Sequence, residues 1–161
     1  MSAPQGEELT FMMGEFEAQF PTDRRYCKNH MWAQPLDAES AQPSRFRFGF
    51  TAYAVRLLQD VYFLDWTIDE NAAVAEKADM GSIESKKAES DLFAPMTGTV
   101  DAFNQGLLKD PSLINVDKYD RGWLFAMTGQ GGNLISPAEY LDHLAAVWEV
   151  TQKTIKGQLN S

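Results

Sequence analysis

The chain is poor in the residues that staple, ligate or span. Its 161 residues include one cysteine, Cys27, so no intrachain disulfide can form, and two histidines, His30 and His143, too thin a supply of soft ligands for a structural zinc. No apolar run approaches the length that crosses a bilayer, and the start MSAPQGEELT is acidic where secretory and transit peptides are basic. A cytoplasmic protein with no membrane partner is expected. Positive charge is also scarce: 14 Lys and Arg against 23 Asp and Glu leave a formal net charge of −9, which repels phosphate backbones and argues against nucleic acid. No nucleophile paired with a base, no metal set and no Gly-rich phosphate loop is present, so the chain reads as something other than an enzyme.

What remains is an ordinary globular composition, 44% hydrophobic and 23% charged, at a length suited to one compact domain. Residues 5 to 20 place Leu9, Met12, Met13, Phe16 and Phe20 at helical spacing opposite glutamates, which predicts an amphipathic helix packed as a lid on the core. RRYCKNHMWA (24 to 33) reads as a short strand followed by a polar, Pro-containing loop. Phe46, Phe48 and Phe50 alternate as a strand in which Gly49 marks a bulge or a close backbone approach, and Thr51 caps a short helix over AYAVRLL. Asp60 to Trp66 resumes a strand, and from 67 to 104 short strands separated by turn signals argue a compact sandwich or barrel. Pro111 interrupts a helical turn in QGLLKDPSLIN, and a strand ends near Gly129. Ser136-Pro137-Ala138-Glu139 is a capping box opening a C-terminal helix, in which Leu141, Leu144, Trp148, Thr151, Ile155 and Leu159 follow.

Between two of the predicted strands lies the octet ESKKAESD, residues 84 to 91, with a lysine doublet at the tip of a hairpin. A hairpin-tip lysine is usually a solvated charge, and only the spacing around it distinguishes this one. The octet resembles the lipoylation signature of the glycine cleavage system H protein family, whose lysine follows Glu-Ser-any and precedes Ala-any-Ser-Asp. The acceptor is then Lys87, with Lys86 at the variable position. The resemblance extends to YCKNHMW (26 to 32), GFTAYA (49 to 54), LQDVYFLD (58 to 65), DPSLIN (110 to 115) and YDRGWLF (119 to 125), and so covers roughly Tyr26 to Phe125. Agreement of several ordered motifs is far harder to reach by chance than agreement of one.

The resemblance implies a mainly β, lipoyl-type barrel-sandwich hybrid of two small antiparallel sheets, here with an extra N-terminal helix and a C-terminal helix. The domain plan it suggests is an N-terminal helical extension (1–22), a lipoyl-binding H-protein-like domain (23–128) and a linker with a C-terminal helix packed on that domain (129–161). It implies lipoate bound covalently through Lys87, with Glu84, Ser85, Ala88 and Asp91 as recognition or arm contacts and His30 and Trp32 beside a cleft for the arm. For Glu84 and Asp91 the alternative is a merely solubilising role, and for Trp32 it is plain core. The implied partners are glycine decarboxylase, an aminomethyltransferase, dihydrolipoyl dehydrogenase, and a lipoate ligase or lipoyltransferase.

Two positions depart from the family pattern. A glutamate expected between the His and Trp of the opening motif is Met31, and an aspartate expected after Thr51 is Ala52. A thioether cannot supply the carboxylate that would hold a protonated aminomethyl group. This keeps open a lipoate-binding sulfur carrier of a heterodisulfide-reductase-like system, with Cys27 as a conceivable redox partner of the arm. A non-lipoylated interaction or regulatory module is the alternative from another class.

Overall fold

The computed structural model describes residues 7–38 and 42–160, with side chains as far as residue 152. In chain order it contains β1 (Glu8–Met13), β2 (Phe16–Pro21), β3 (Arg25–Tyr26), β4 (Met31–Pro35), β5 (Ser44–Phe50), α1 (Ala52–Leu58), β6 (Val61–Trp66), β7 (Ala73–Val74), β8 (Asp79–Ser85), β9 (Glu89–Phe93), β10 (Gly98–Phe103), α2 (Gln105–Lys109), α3 (Leu113–Val116), β11 (Phe125–Gly129) and α4 (Pro137–Asn160). A six-stranded antiparallel sheet, ordered β3-β4-β5-β11-β10-β7, faces a three-stranded one, β6-β8-β9. Between them lies a core of Met31, Phe46, Phe48, Phe50, Leu64, Met80, Ile83, Leu92, Val100, Phe125 and Met127, each under a tenth exposed. The mainly β architecture with a C-terminal helix is as expected.

The N-terminal helix is not. Residues 8 to 21 form an antiparallel hairpin, β1 paired with β2 from Glu8↔Pro21 to Met13↔Phe16; residues 5 and 6 of the predicted helix lie outside the described residues. The helical reading counted Met12 as apolar face, yet Met12 is 50% exposed, whereas Phe11, Met13, Phe16, Ala18 and Phe20 turn inward with a period of two. Gly14 decides between the patterns. It takes φ 66° at the first position of a two-residue turn, a conformation that closes hairpins and that glycine adopts without steric cost.

This hairpin and α4 cover the outer face of the large sheet, making a second core of Met13, Ala18, Phe20, Tyr26, Trp32, Ala52, Tyr53, Tyr140 and Leu144. Tyr26 and Tyr140 stack with ring centroids 4.8 Å apart. The capping box of α4 forms as predicted: the Ser136 amide donates to Glu139 Oε1 at 2.9 Å and the Glu139 amide to Ser136 Oγ at 3.1 Å, holding the Glu139 carboxyl below its ordinary pKa. Thr51 caps α1, and Pro111 separates α2 from α3.

Gly49 sits opposite Trp32 in the β4–β5 register, and a Cβ there would overlap the indole ring. The indole is wholly buried and pinned by its Nε1 donating to the Lys118 carbonyl at 3.0 Å, so it has little freedom to yield. Gly49→Ala is therefore expected to lower unfolding free energy by about 1–3 kcal/mol, the usual cost of overpacking, read as a fall in the urea midpoint with the m-value unchanged.

Candidate functional site

The site is a hairpin tip whose main chain is fixed and whose two lysine side chains are free. In the β8–β9 register Glu84 pairs with Glu89, which leaves Ser85 and Ala88 as the closing residues and Lys86-Lys87 as the loop. Ser85 is 4% exposed and closes the tip three times: its amide donates to the Ala88 carbonyl at 2.8 Å, its hydroxyl donates to the same oxygen at 3.2 Å, and its Oγ accepts from the Ala88 amide at 3.1 Å. The tip is also tied to the body of the protein. Lys86 N donates to the Asp60 carbonyl at 2.8 Å and Lys87 N to the Leu58 carbonyl at 3.3 Å, so the loop hangs from the C-terminal end of α1. Asn115 supports that anchor from α3, its Oδ1 accepting from Val61 N at 2.9 Å and its Nδ2 donating to the Gln59 carbonyl at 2.7 Å.

Both lysine side chains are exposed, and neither forms an ion pair among the described residues. Glu84 is half-buried and Asp91 exposed, both on the strands flanking the tip. Five predicted site residues, Glu84, Ser85, Lys87, Ala88 and Asp91, thus share one hairpin, and the structure assigns Ser85 and Ala88 the closing of its turn.

His30 and Trp32 lie elsewhere. Trp32 is fully buried and packs as core in the outer cluster, the alternative given for this indole above; Arg24 stacks on its ring at 4.8 Å. His30, half-buried at φ 70°, has its Nδ1 2.9 Å from the Tyr140 hydroxyl, which lies 2.9 Å from Thr51 Oγ1, and its ring lies 4.6 Å from that of Tyr53. Met31 is 2% exposed and points into the core between the sheets, and Ala52 is 5% exposed under the N-terminal hairpin. Cys27 is buried, which pushes its thiol well above the ordinary range and withholds the thiolate that redox exchange needs. Sequence reading missed the Leu58 and Asp60 anchors, because a carbonyl acceptor leaves no trace in residue type. It also missed Tyr140 and Thr51 as partners of His30.

The site is thus a fixed β-turn that offers an exposed lysine from a small two-sheet domain. Comparison with known proteins gives its family. The model of the glycine cleavage H-protein family matches residues 24–153, and the chain belongs to that family. It is 37% identical over 128 residues to a probable glycine cleavage system H protein of Natronomonas pharaonis, covering 78% of this chain and 96% of that one. It is 36% identical over 125 residues to a glycine cleavage system H protein of Corynebacterium aurimucosum, covering 76% and 94%. The crystal structure of a glycine cleavage system H protein from Mycobacterium marinum superposes with a TM-score of 0.69 at 30% identity, covering 78% of this chain and 99% of that one. Hairpin β1–β2 lies ahead of the matched region.

Two outcomes follow from this geometry. Burial, reinforced by the neighbouring His143, lowers the His30 imidazole from 6.5 to about 4. Between those values the unfolded chain binds a proton that the folded chain refuses, so stability is full above pH 6.5 and falls as pH drops toward 4. Relative to His30→Asn, which tolerates the left-handed backbone and does not titrate, the wild type should lose on the order of 2–3 kcal/mol as pH falls across that window in denaturant titrations. Ser85→Ala should cost about 1–2 kcal/mol by removing the hydroxyl bonds that close the tip, and should raise amide hydrogen exchange at Ala88.

Proposed function

We propose that the protein is the lipoyl carrier of a glycine cleavage system, with lipoate joined to Lys87. The observation that supports this most directly is the tip itself: in a chain of this family, Lys87 is held by its backbone while its amine stands exposed and unpaired among the described residues. That arrangement fits an acyl group. The amide linkage removes the lysine's charge, and among the described residues no carboxylate loses an ion pair when it does. Once bound, the group supplies a flexible arm ending in a dithiolane, able to carry an aminomethyl group.

The chain's residues present that arm and perform no bond-making. Ser85 and the α1 anchors fix the root, so that tethering raises the local concentration of cargo at each enzyme visited. Glu84 and Asp91 flank the root as charges for a lipoate ligase or lipoyltransferase to read. In this reading the arm moves in the cytoplasm between glycine decarboxylase, an aminomethyltransferase and dihydrolipoyl dehydrogenase. Among the described residues no helix is long and apolar enough to cross a membrane. The sulfur-carrier alternative rests on Met31 and Ala52 and gains nothing from Cys27, whose buried thiol is poorly suited to exchange with the arm.

Expression with lipoate and a lipoate ligase should add one lipoyl mass, retained in Lys86→Ala and lost in Lys87→Ala; loss in the Lys86 variant alone would move the acceptor. The lipoylated protein should support glycine cleavage with the three partner enzymes. No turnover beside a competent H protein would leave it a carrier of different cargo.

A further inference from the structure

The lysine turn runs against the usual preference of a hairpin. Two-residue loops between antiparallel strands favour positive φ at one or both central residues, which follows the twist of the strands. Neither Lys86 nor Lys87 takes a positive φ, so the turn depends on being held from outside.

The holder is the segment that leaves α1. Lys87 N donates to the Leu58 carbonyl at 3.3 Å and Lys86 N to the Asp60 carbonyl at 2.8 Å. Gln59, between the two acceptors, takes φ 60° and ψ −144°, close to a region that residues other than glycine rarely occupy. Its amide closes α1 on the Val55 carbonyl at 2.8 Å, while its own carbonyl accepts from Asn115 Nδ2 at 2.7 Å. The Oδ1 of the same carboxamide accepts from Val61 N at 2.9 Å, so one side chain spans the strained residue and the first residue of β6. Asn115 is seated in α3 beside Ile114, which is wholly buried, and its amide donates to the Ser112 carbonyl at 2.9 Å.

Relaxing Gln59 to a negative φ would change the angle between the peptide units before and after it. The Leu58 and Asp60 carbonyls would then cease to converge on the lysine amides. Each of those two bonds fixes the peptide unit that precedes a lysine, and so the direction in which that lysine's side chain leaves the chain. Exposure does not tell Lys86 and Lys87 apart, since both stand in solvent. Nor does the chemistry of acylation, which is the same at either. The ammonium loses a proton to solvent, the amine attacks the carbonyl of an acyl-adenylate that a ligase makes from lipoate and ATP, and AMP leaves as the amide forms. Direction is what remains to separate them.

We propose that Asn115 is a positioning residue for this acylation: by holding Gln59 in its positive-φ conformation it aims the Leu58 and Asp60 carbonyls at the turn, and so presents Lys87 rather than Lys86 to the modifying enzyme. This rests on lipoylation of Lys87.

The test measures ligase kcat and KM with the unmodified protein as acyl acceptor, and locates the lipoyl group by tandem mass spectrometry of the peptide carrying both lysines. Wild type is expected to be modified at Lys87 alone. Asn115→Ala should lower kcat by about tenfold or more with KM within about twofold, since docking is kept and alignment lost, and should divide the lipoyl group between Lys87 and Lys86. Asn115→Ser, a milder cut that carries the test where Asn115→Ala does not fold, should move both readouts the same way. Gln59→Gly in the Asn115→Ala background should restore the single site and most of kcat, because glycine holds that conformation without strain. Leu113→Ala, which loosens α3 through its packing on the core and not through the carboxamide, should leave both readouts as in wild type. Asn115→Ala and Asn115→Ser modified at Lys87 alone with wild-type kcat would overturn the positioning role and leave the carrier reading standing. Equal changes in Leu113→Ala would also overturn it, by making the effect one of stability. A wild type that gains no lipoyl mass overturns the carrier reading and the positioning role with it.

Discussion

The two backbone bonds from Lys86 N to the Asp60 carbonyl and from Lys87 N to the Leu58 carbonyl make the hairpin tip part of the protein rather than a loose loop. A two-residue turn on a three-stranded sheet would otherwise fray, since its lysines bury nothing and repel each other. The anchors tie the turn to the end of α1, which is fixed in turn by Thr51 at its cap and by Asn115 bridging Val61 and Gln59. The main chain at the lysine thus keeps a constant position relative to the body of the protein. The side chains stay free while the main chain does not, and that separation allows one amine to be displayed without disorder around it.

The two cores divide the work. The one between the sheets sets the pairing of β6, β8 and β9 and so the direction of the tip. The outer one joins β1–β2, α1, α4 and the exterior of the large sheet through Tyr26, Trp32, Tyr53 and Tyr140. Tyr119 links these parts through its hydroxyl, which accepts from Ala52 N at 2.9 Å and donates to the Gln19 carbonyl at 2.6 Å. The N-terminal hairpin is thereby fastened to the start of the same helix whose end holds the lysine tip.

Much of this was legible in the residues. The ESKKAESD octet, the Thr51 cap, the Ser136–Glu139 box and the close approach at Gly49 each depend on local chemistry that residue type specifies, and each lies where expected. The misreadings share a cause in tertiary packing. Leu9, Phe11, Met13, Phe16, Ala18 and Phe20 satisfy an alternating pattern about as well as Leu9, Met12, Met13, Phe16 and Phe20 satisfy a helical one, and only the surface awaiting them decides between the two. Trp32 gave the same ambiguity: an indole between a cleft and a core is settled by Gly49, Lys118 and Arg24, which come from three other parts of the chain.

The same packing bears on the two departures from the family pattern. Met31 lies within the inter-sheet core opposite Phe50, and a glutamate whose side chain took that direction would bury a carboxylate among aromatic and aliphatic groups. Ala52 lies beneath the hairpin, 5% exposed, with its amide bonded to Tyr119. An unpaired buried carboxylate costs several kcal/mol or is driven neutral. An apolar residue at 31 is therefore what the inter-sheet core permits, and its presence reflects packing before it reflects cargo.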